Sequence, residues 1–144
     1  MIQKLTILAF CLLSLAACNK KEATESNAWN IGGETFQASS TLRADNALMV
    51  KNDANTSYLY ARFAPGQVAG GTYRVVEGAP ANSHEISFSV NRNGQDYIST
   101  GSGSPTATVT FVSNRLNILV SNVWMLHLPF RQDSLLLDAI MIEQ

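Results

Sequence analysis

From Trp29 onward, apolar and polar residues alternate in short runs separated by turn residues, the period-2 pattern of half-buried β-strands. Trp29-Asn30-Ile31 and Glu34-Thr35-Phe36 flank Gly32-Gly33, and two glycines supply the positive φ that a tight primed hairpin turn needs. Runs 41–43 and 47–51 flank Asp45-Asn46, a second turn pair. Segment 58–63 divides cleanly into two faces, with Leu59, Ala61 and Phe63 on one and Tyr58, Tyr60 and Arg62 on the other. Further strands are expected at 72–77, 84–90, 96–100, 106–112, 116–120, 123–128 and 135–142. Within them Val109 and Phe111 share the inner face with Leu116 or Ile118, depending on register, and with Trp124, Leu126 and Leu128 inward, Met125 and His127 face out or toward the other sheet. About ten strands with turns every 8–12 residues define an all-β chain, expected as an antiparallel β-sandwich of about 8–10 strands. A helix over 134–144 is the alternative for the last segment. Leu135, Leu136, Ala139 and Ile142 fit a helical stripe, but Leu137, Ile140 and Met141 make the segment apolar all round, which favours a strand.

The amino-terminal pattern is different. Lys4 precedes an apolar run from Leu5 to Leu15, broken only by Thr6 and Ser14. The run is shorter than the roughly 20 residues a bilayer-spanning helix requires, and fits the apolar region of a signal peptide. It exits through Leu15-Ala16-Ala17-Cys18, which resembles the lipobox of bacterial lipoproteins. That resemblance implies cleavage before Cys18, a diacylglycerol on its sulfur and three acyl chains on the mature amino terminus. It divides the chain into a signal peptide (1–17), a lipidated cysteine with a polar tether (18–28) and one β domain (29–144). In enterobacterial lipoproteins an aspartate after the cysteine retains the protein at the inner membrane. Asn19 therefore resembles an outer-membrane address, with the periplasmic and surface faces both open.

A more diffuse resemblance covers residues 29–142. Trp29, Gly32, Gly33, Phe36 and Ala38, together with Gly71-Thr72-Tyr73, Tyr97-Ile98-Ser99 and Thr108-Val109-Thr110, are similar to small Gram-negative lipoproteins. Those proteins carry antiparallel β-sandwich domains of unknown function. The resemblance brings no catalytic residues with it.

Composition narrows the function classes. Loss of Lys4 with the signal leaves nine Lys and Arg against eleven Asp and Glu, without clustering beyond Lys20-Lys21. A nucleic-acid partner would need a basic stripe, so none is expected. Cys11 leaves with the signal and Cys18 is the lipid acceptor, so the mature domain has no thiol for a disulfide, a metal or nucleophilic chemistry.

Catalytic motifs are absent from the sequence. His84-Glu85 begins like H-E-x-x-H, but Phe88 stands where the second ligand belongs. Asn52, Asp53 and Asn55 have too few acids for a calcium loop. Gly101-Ser102-Gly103-Ser104 lacks the order of a nucleophile elbow. No cofactor and no metal are expected. The best binding candidate is Tyr58, Tyr60 and Arg62, where aromatic side chains two residues apart present flat rings on one strand face beside a cation. The chain reads as a lipid-anchored outer-membrane protein, a non-enzymatic binding or accessory module for an envelope protein or glycan. The alternatives are a hydrolase whose carboxylates converge only in the fold, and a structural subunit that pairs through a free strand edge.

Overall fold

Alternating apolar side chains drive the chain into ten strands, and the computed structural model describes them over residues 26–131 and 133–144. The segment that resembles a lipobox, with Cys18, lies outside the described residues. The strands are β1 (Ala28–Ile31), β2 (Glu34–Ala44), β3 (Ala47–Asn52), β4 (Tyr58–Phe63), β5 (Gly71–Val75), β6 (Glu85–Arg92), β7 (Gln95–Ser99), β8 (Thr106–Val112), β9 (Arg115–His127) and β10 (Ser134–Ile142). The architecture is all-β, with no helix among the described residues, and the last segment is a strand.

All ten strands belong to one sheet whose pairings return on themselves. The order β10-β1-β2-β3-β4-β6 forms one continuous wall. Two branches close the gap between β6 and β9. One is β7, which pairs with the end of β6 and the end of β9. The other is β5 with β8, joining the start of β6 to the start of β9. β9 then pairs with β10 and the ring is complete. The expected antiparallel arrangement is corrected at one point: β5 runs parallel to β6, with Arg74 opposite Glu85 and Val75 opposite Ile86. A parallel neighbour needs a crossover, and residues 76–84 supply it.

Ser99 sits where the branches part. It is fully buried, its hydroxyl donates to Val76 O at 2.7 Å and accepts from the Phe88 N–H at 2.9 Å. A side chain thus satisfies backbone groups that no strand reaches there.

The core is a single cluster inside the ring. Trp29, Ile31, Leu48, Leu59, Phe63, Tyr73, Phe88, Leu116, Ile118, Met125 and Leu137 are its largest members, each buried almost completely. Each fully buried large side chain contributes roughly 1.5–3 kcal/mol relative to exposure. Trp29 stacks on Phe36, its partner across the β1–β2 pair, with centroids 5.3 Å apart. Asn27 latches the entry of the chain to its exit. Its amide nitrogen donates to Ile142 O at 2.8 Å and its Oδ1 accepts the Ile142 N–H.

Three expectations from the pattern are corrected. Runs 34–36 and 41–43 are one strand, β2, bent by a register shift between Ala38 and Ser40. Runs 116–120 and 123–128 are likewise one strand, β9. Within β9 the inward face is reversed. Val123 lies opposite Leu137 but Val120 lies opposite Ala139, so Ser121 and Asn122 share the single partner Asp138. The Asn122 N–H donates to Asp138 Oδ1 at 2.8 Å, and Asn122 has a φ of 56°. This bulge inserts a residue and switches the parity. Val123 and Met125 are therefore buried, and Trp124 is 43% exposed. Phe111 keeps the inner-face parity of Ala107 and Val109 and lies opposite the buried Leu116, as its alternation implies, but at the tip of the β8–β9 hairpin it is 44% exposed.

Candidate functional site

The outer face of β4 carries Tyr58, Tyr60 and Arg62, because Leu59, Ala61 and Phe63 alternate into the core. Tyr60 and Arg62 wall a cavity of about 250 Å³ with Ser87 and Ser89 of β6, Ile98 of β7 and the crossover at Gly78 and Ala79. The structure thus brings two of the three expected residues together. Tyr58 stands opposite Asn91 and Lys51, half-buried on the same face, and does not line this cavity.

The roof of the cavity is the crossover, and Glu85 pegs it down. One carboxylate oxygen, Oε2, accepts the backbone N–H groups of Ala81 and Asn82 at 3.0 and 3.1 Å. The other, Oε1, accepts the Asn82 side-chain amide at 2.9 Å and a bond from Arg74. The Asn82 amide, followed by the two backbone donors, holds the carboxyl down to about 2 from an ordinary 4.5. These bonds need the charged form. A depressed folded-state value means that Glu85 contributes its full stabilisation above about pH 4.5 and loses it as pH falls toward 2. The wild-type urea midpoint should therefore fall over that window more steeply than that of Glu85→Gln. At neutral pH the variant should be the less stable of the two. Parallel curves from pH 6 to 2 would contradict this role for Glu85.

A second cavity, about 590 Å³, lies beyond the crossover, on the outer face where β7 ends and β8 has not begun. Trp124 and Leu126 form its floor, with Glu77, Thr100, Ser102 and Ser134 around them. The Thr100 N–H donates to Trp124 O at 2.8 Å and fixes that stretch of β9. Glu77 pairs with Arg131. The alternation pattern hides Trp124, since it points the indole inward. The detectable signal is the polar Ser121-Asn122 pair interrupting an apolar strand.

The remaining candidates have structural surroundings. His84 is exposed and tilted against Tyr73 at 5.3 Å, and its neighbour Glu85 is the peg of the crossover. Asn52 caps the β3–β4 turn, its Oδ1 accepting the N–H groups of Thr56 and Ser57, both at 3.0 Å. His127 lies over the buried Tyr97 at 5.0 Å and shares the inner-face parity of Met125. Ser102 lies in the Gly101–Ser104 loop that forms one rim of the second cavity. No three metal-ligating side chains converge among the described residues.

No protein-family model, curated protein or solved structure matches the chain.

Proposed function

We propose that the protein is a lipid-anchored binding module of the bacterial outer membrane, tethered through Cys18 and engaging an envelope glycan on the outer face of β4 and β6. The observation that carries the ligand side of this reading is the cavity between Tyr60, Arg62 and the pegged crossover. An aromatic ring, a cation and two serine hydroxyls converge there on a rigid strand surface, the arrangement small-molecule and glycan sites use. The anchor side rests on the Leu15-Ala16-Ala17-Cys18 sequence.

Two observations favour this reading over its alternatives. Each of the four described cavities is lined by one carboxylate at most, whereas glycoside hydrolysis uses a facing pair. Among the described residues every strand has pairing partners on both sides over part of its length, and the longest one-sided stretch, 40–44 of β2, offers a partner strand only a short edge.

Co-sedimentation of the full-length, detergent-solubilised protein with purified peptidoglycan tests the reading. Tyr60→Ala and Arg62→Ala should each weaken retention about tenfold or more. Tyr58→Ala, on the same face but outside the cavity, should leave retention unchanged. All three should keep the wild-type melting transition, since these side chains lie outside the core. Equal retention of the wild type and the Tyr60 and Arg62 variants would contradict the site, and no retention of wild type would contradict the ligand class.

A further inference from the structure

The two cavities belong to one surface. Tyr60 pairs with Ser89, Ser89 with Ile98, Ile98 with Leu126 and Leu126 with Ser134. These five residues form a lateral row across β4, β6, β7, β9 and β10. Their chain neighbours Ala61, Val90, Ser99 and Met125 are buried in the core, so the row lies on the outer face. Neighbouring strands are roughly 4.8 Å apart, which puts Tyr60 and Leu126 about 14 Å apart. The first cavity contains the Tyr60, Ser89 and Ile98 end of the row, and the second the Leu126 and Ser134 end. Only the crossover, at Glu77 to Ala79, stands between them.

The second cavity has its own chemistry. Trp124 offers a flat apolar ring, and Thr100, Ser102 and Ser134 offer hydroxyls around it. The one carboxylate, Glu77, is already paired with Arg131, so the cavity carries no unbalanced charge. A flat ring bordered by hydroxyls suits the apolar C–H face and equatorial hydroxyls of a pyranose. A peptide would gain less here, because the strands flanking the groove already spend their backbone groups on one another. With Glu77 paired and no cation among the lining residues, the cavity offers an anionic ligand no free charge partner.

We infer that the Trp124 groove is a second sugar subsite on the same outer face as the Tyr60–Arg62 cavity, and that one linear, neutral, β-linked oligosaccharide of three to four units reaches both by passing over the crossover at Glu77 to Ala79. This rests on the glycan-binding reading above and extends it. A β-linked pyranose chain advances by about one strand spacing per unit, so a tetramer matches the four strands from Tyr60 to Leu126.

Tryptophan emission tests it directly. The chain has two tryptophans, and Trp29 is 1% exposed while Trp124 is 43% exposed, so a sugar at the groove perturbs the Trp124 signal alone. The full-length protein in detergent would be titrated with chito-oligosaccharides of one to five units and with cellotetraose. The expected result is an emission change with at least one of the two tetramers, and affinity that rises with chain length up to the tetramer and then levels off. Trp124→Ala should weaken tetramer binding, read by calorimetry, about tenfold, and Trp124→Phe should retain most of it. Tetramer binding that Tyr60→Ala weakens but Trp124→Ala leaves intact would overturn the second subsite and leave the first reading standing. Wild type that binds neither tetramer would overturn this inference. Retention on peptidoglycan is measured separately, so the earlier reading would then stand or fall on its own assay.

Discussion

Trp29→Ala is expected to lower the unfolding free energy by about 3–5 kcal/mol, the range for truncating a large buried aromatic side chain. Trp29 lies in β1, a strand of four residues with β2 on one side and β10 on the other. It is 1% exposed and stacked on Phe36 with an interplanar angle of 12°. Its loss leaves a cavity, removes the stack and weakens the shortest strand of the ring. A domain of ordinary stability has about 5–15 kcal/mol in total, so the variant stands near the edge of folding at room temperature. Trp29→Phe keeps a ring against Phe36 and should lose a smaller share. Urea unfolding followed by far-ultraviolet circular dichroism measures both, since that signal does not depend on the indole. A loss below about 1 kcal/mol for the alanine variant would mean that β1 is not integral to the core.

Cys18→Ser is expected to abolish the proposed lipid anchor and leave an uncleaved or a soluble protein. One acyl chain gives only marginal, reversible membrane binding, and each further buried CH₂ contributes roughly 0.8 kcal/mol, so three chains hold a protein almost permanently. Serine cannot accept the diacylglycerol through a thioether, so the variant either retains its signal segment uncleaved or leaves the membrane. The domain itself should be unaffected. Among the described residues the first with a buried, hydrogen-bonded position is Asn27, nine positions further on. Phase separation in a detergent with a low cloud point distinguishes the outcomes: wild type in the detergent phase, processed variant in the aqueous phase. Equal partitioning of two processed proteins would remove the lipid anchor from the account.

Much of the fold is legible where its causes are local. Segment 58–63 alternates without a break and forms β4 with the expected faces. Gly32 and Gly33 both adopt positive φ, at 59° and 86°, and make the hairpin that their sequence implies. What escapes the pattern is non-local. Ser121 and Asn122 look like a turn, yet β10 presents Asp138 opposite them, and the pair is absorbed as a bulge inside one strand. Nothing within β9 itself reveals that partner, so alternation carried through the bulge places Trp124 on the wrong face.

The crossover is hidden for the same reason. Residues 76–84 read as a strand end and a loop, and only the parallel pairing of β5 with β6 makes them span an outer surface. Glu85 looks like half of a metal motif, and its work as a peg depends on Ala81 and Asn82 folding back over it. Tyr60 and Arg62 were legible as a face. Their cavity was not, because its far wall comes from Ile98 and Gly78, which belong to segments that the sequence does not connect to β4.

The central claim is a β domain held to its membrane by a lipid on Cys18. Mass spectrometry of the amino-terminal peptide, from protein purified out of native membranes, tests it most directly. The account predicts a peptide that begins at Cys18 and carries the added mass of a diacylglycerol and an amide-linked acyl chain. A peptide beginning at Cys18 with a free thiol and a free amine, or one still carrying residues 1–17, would contradict it.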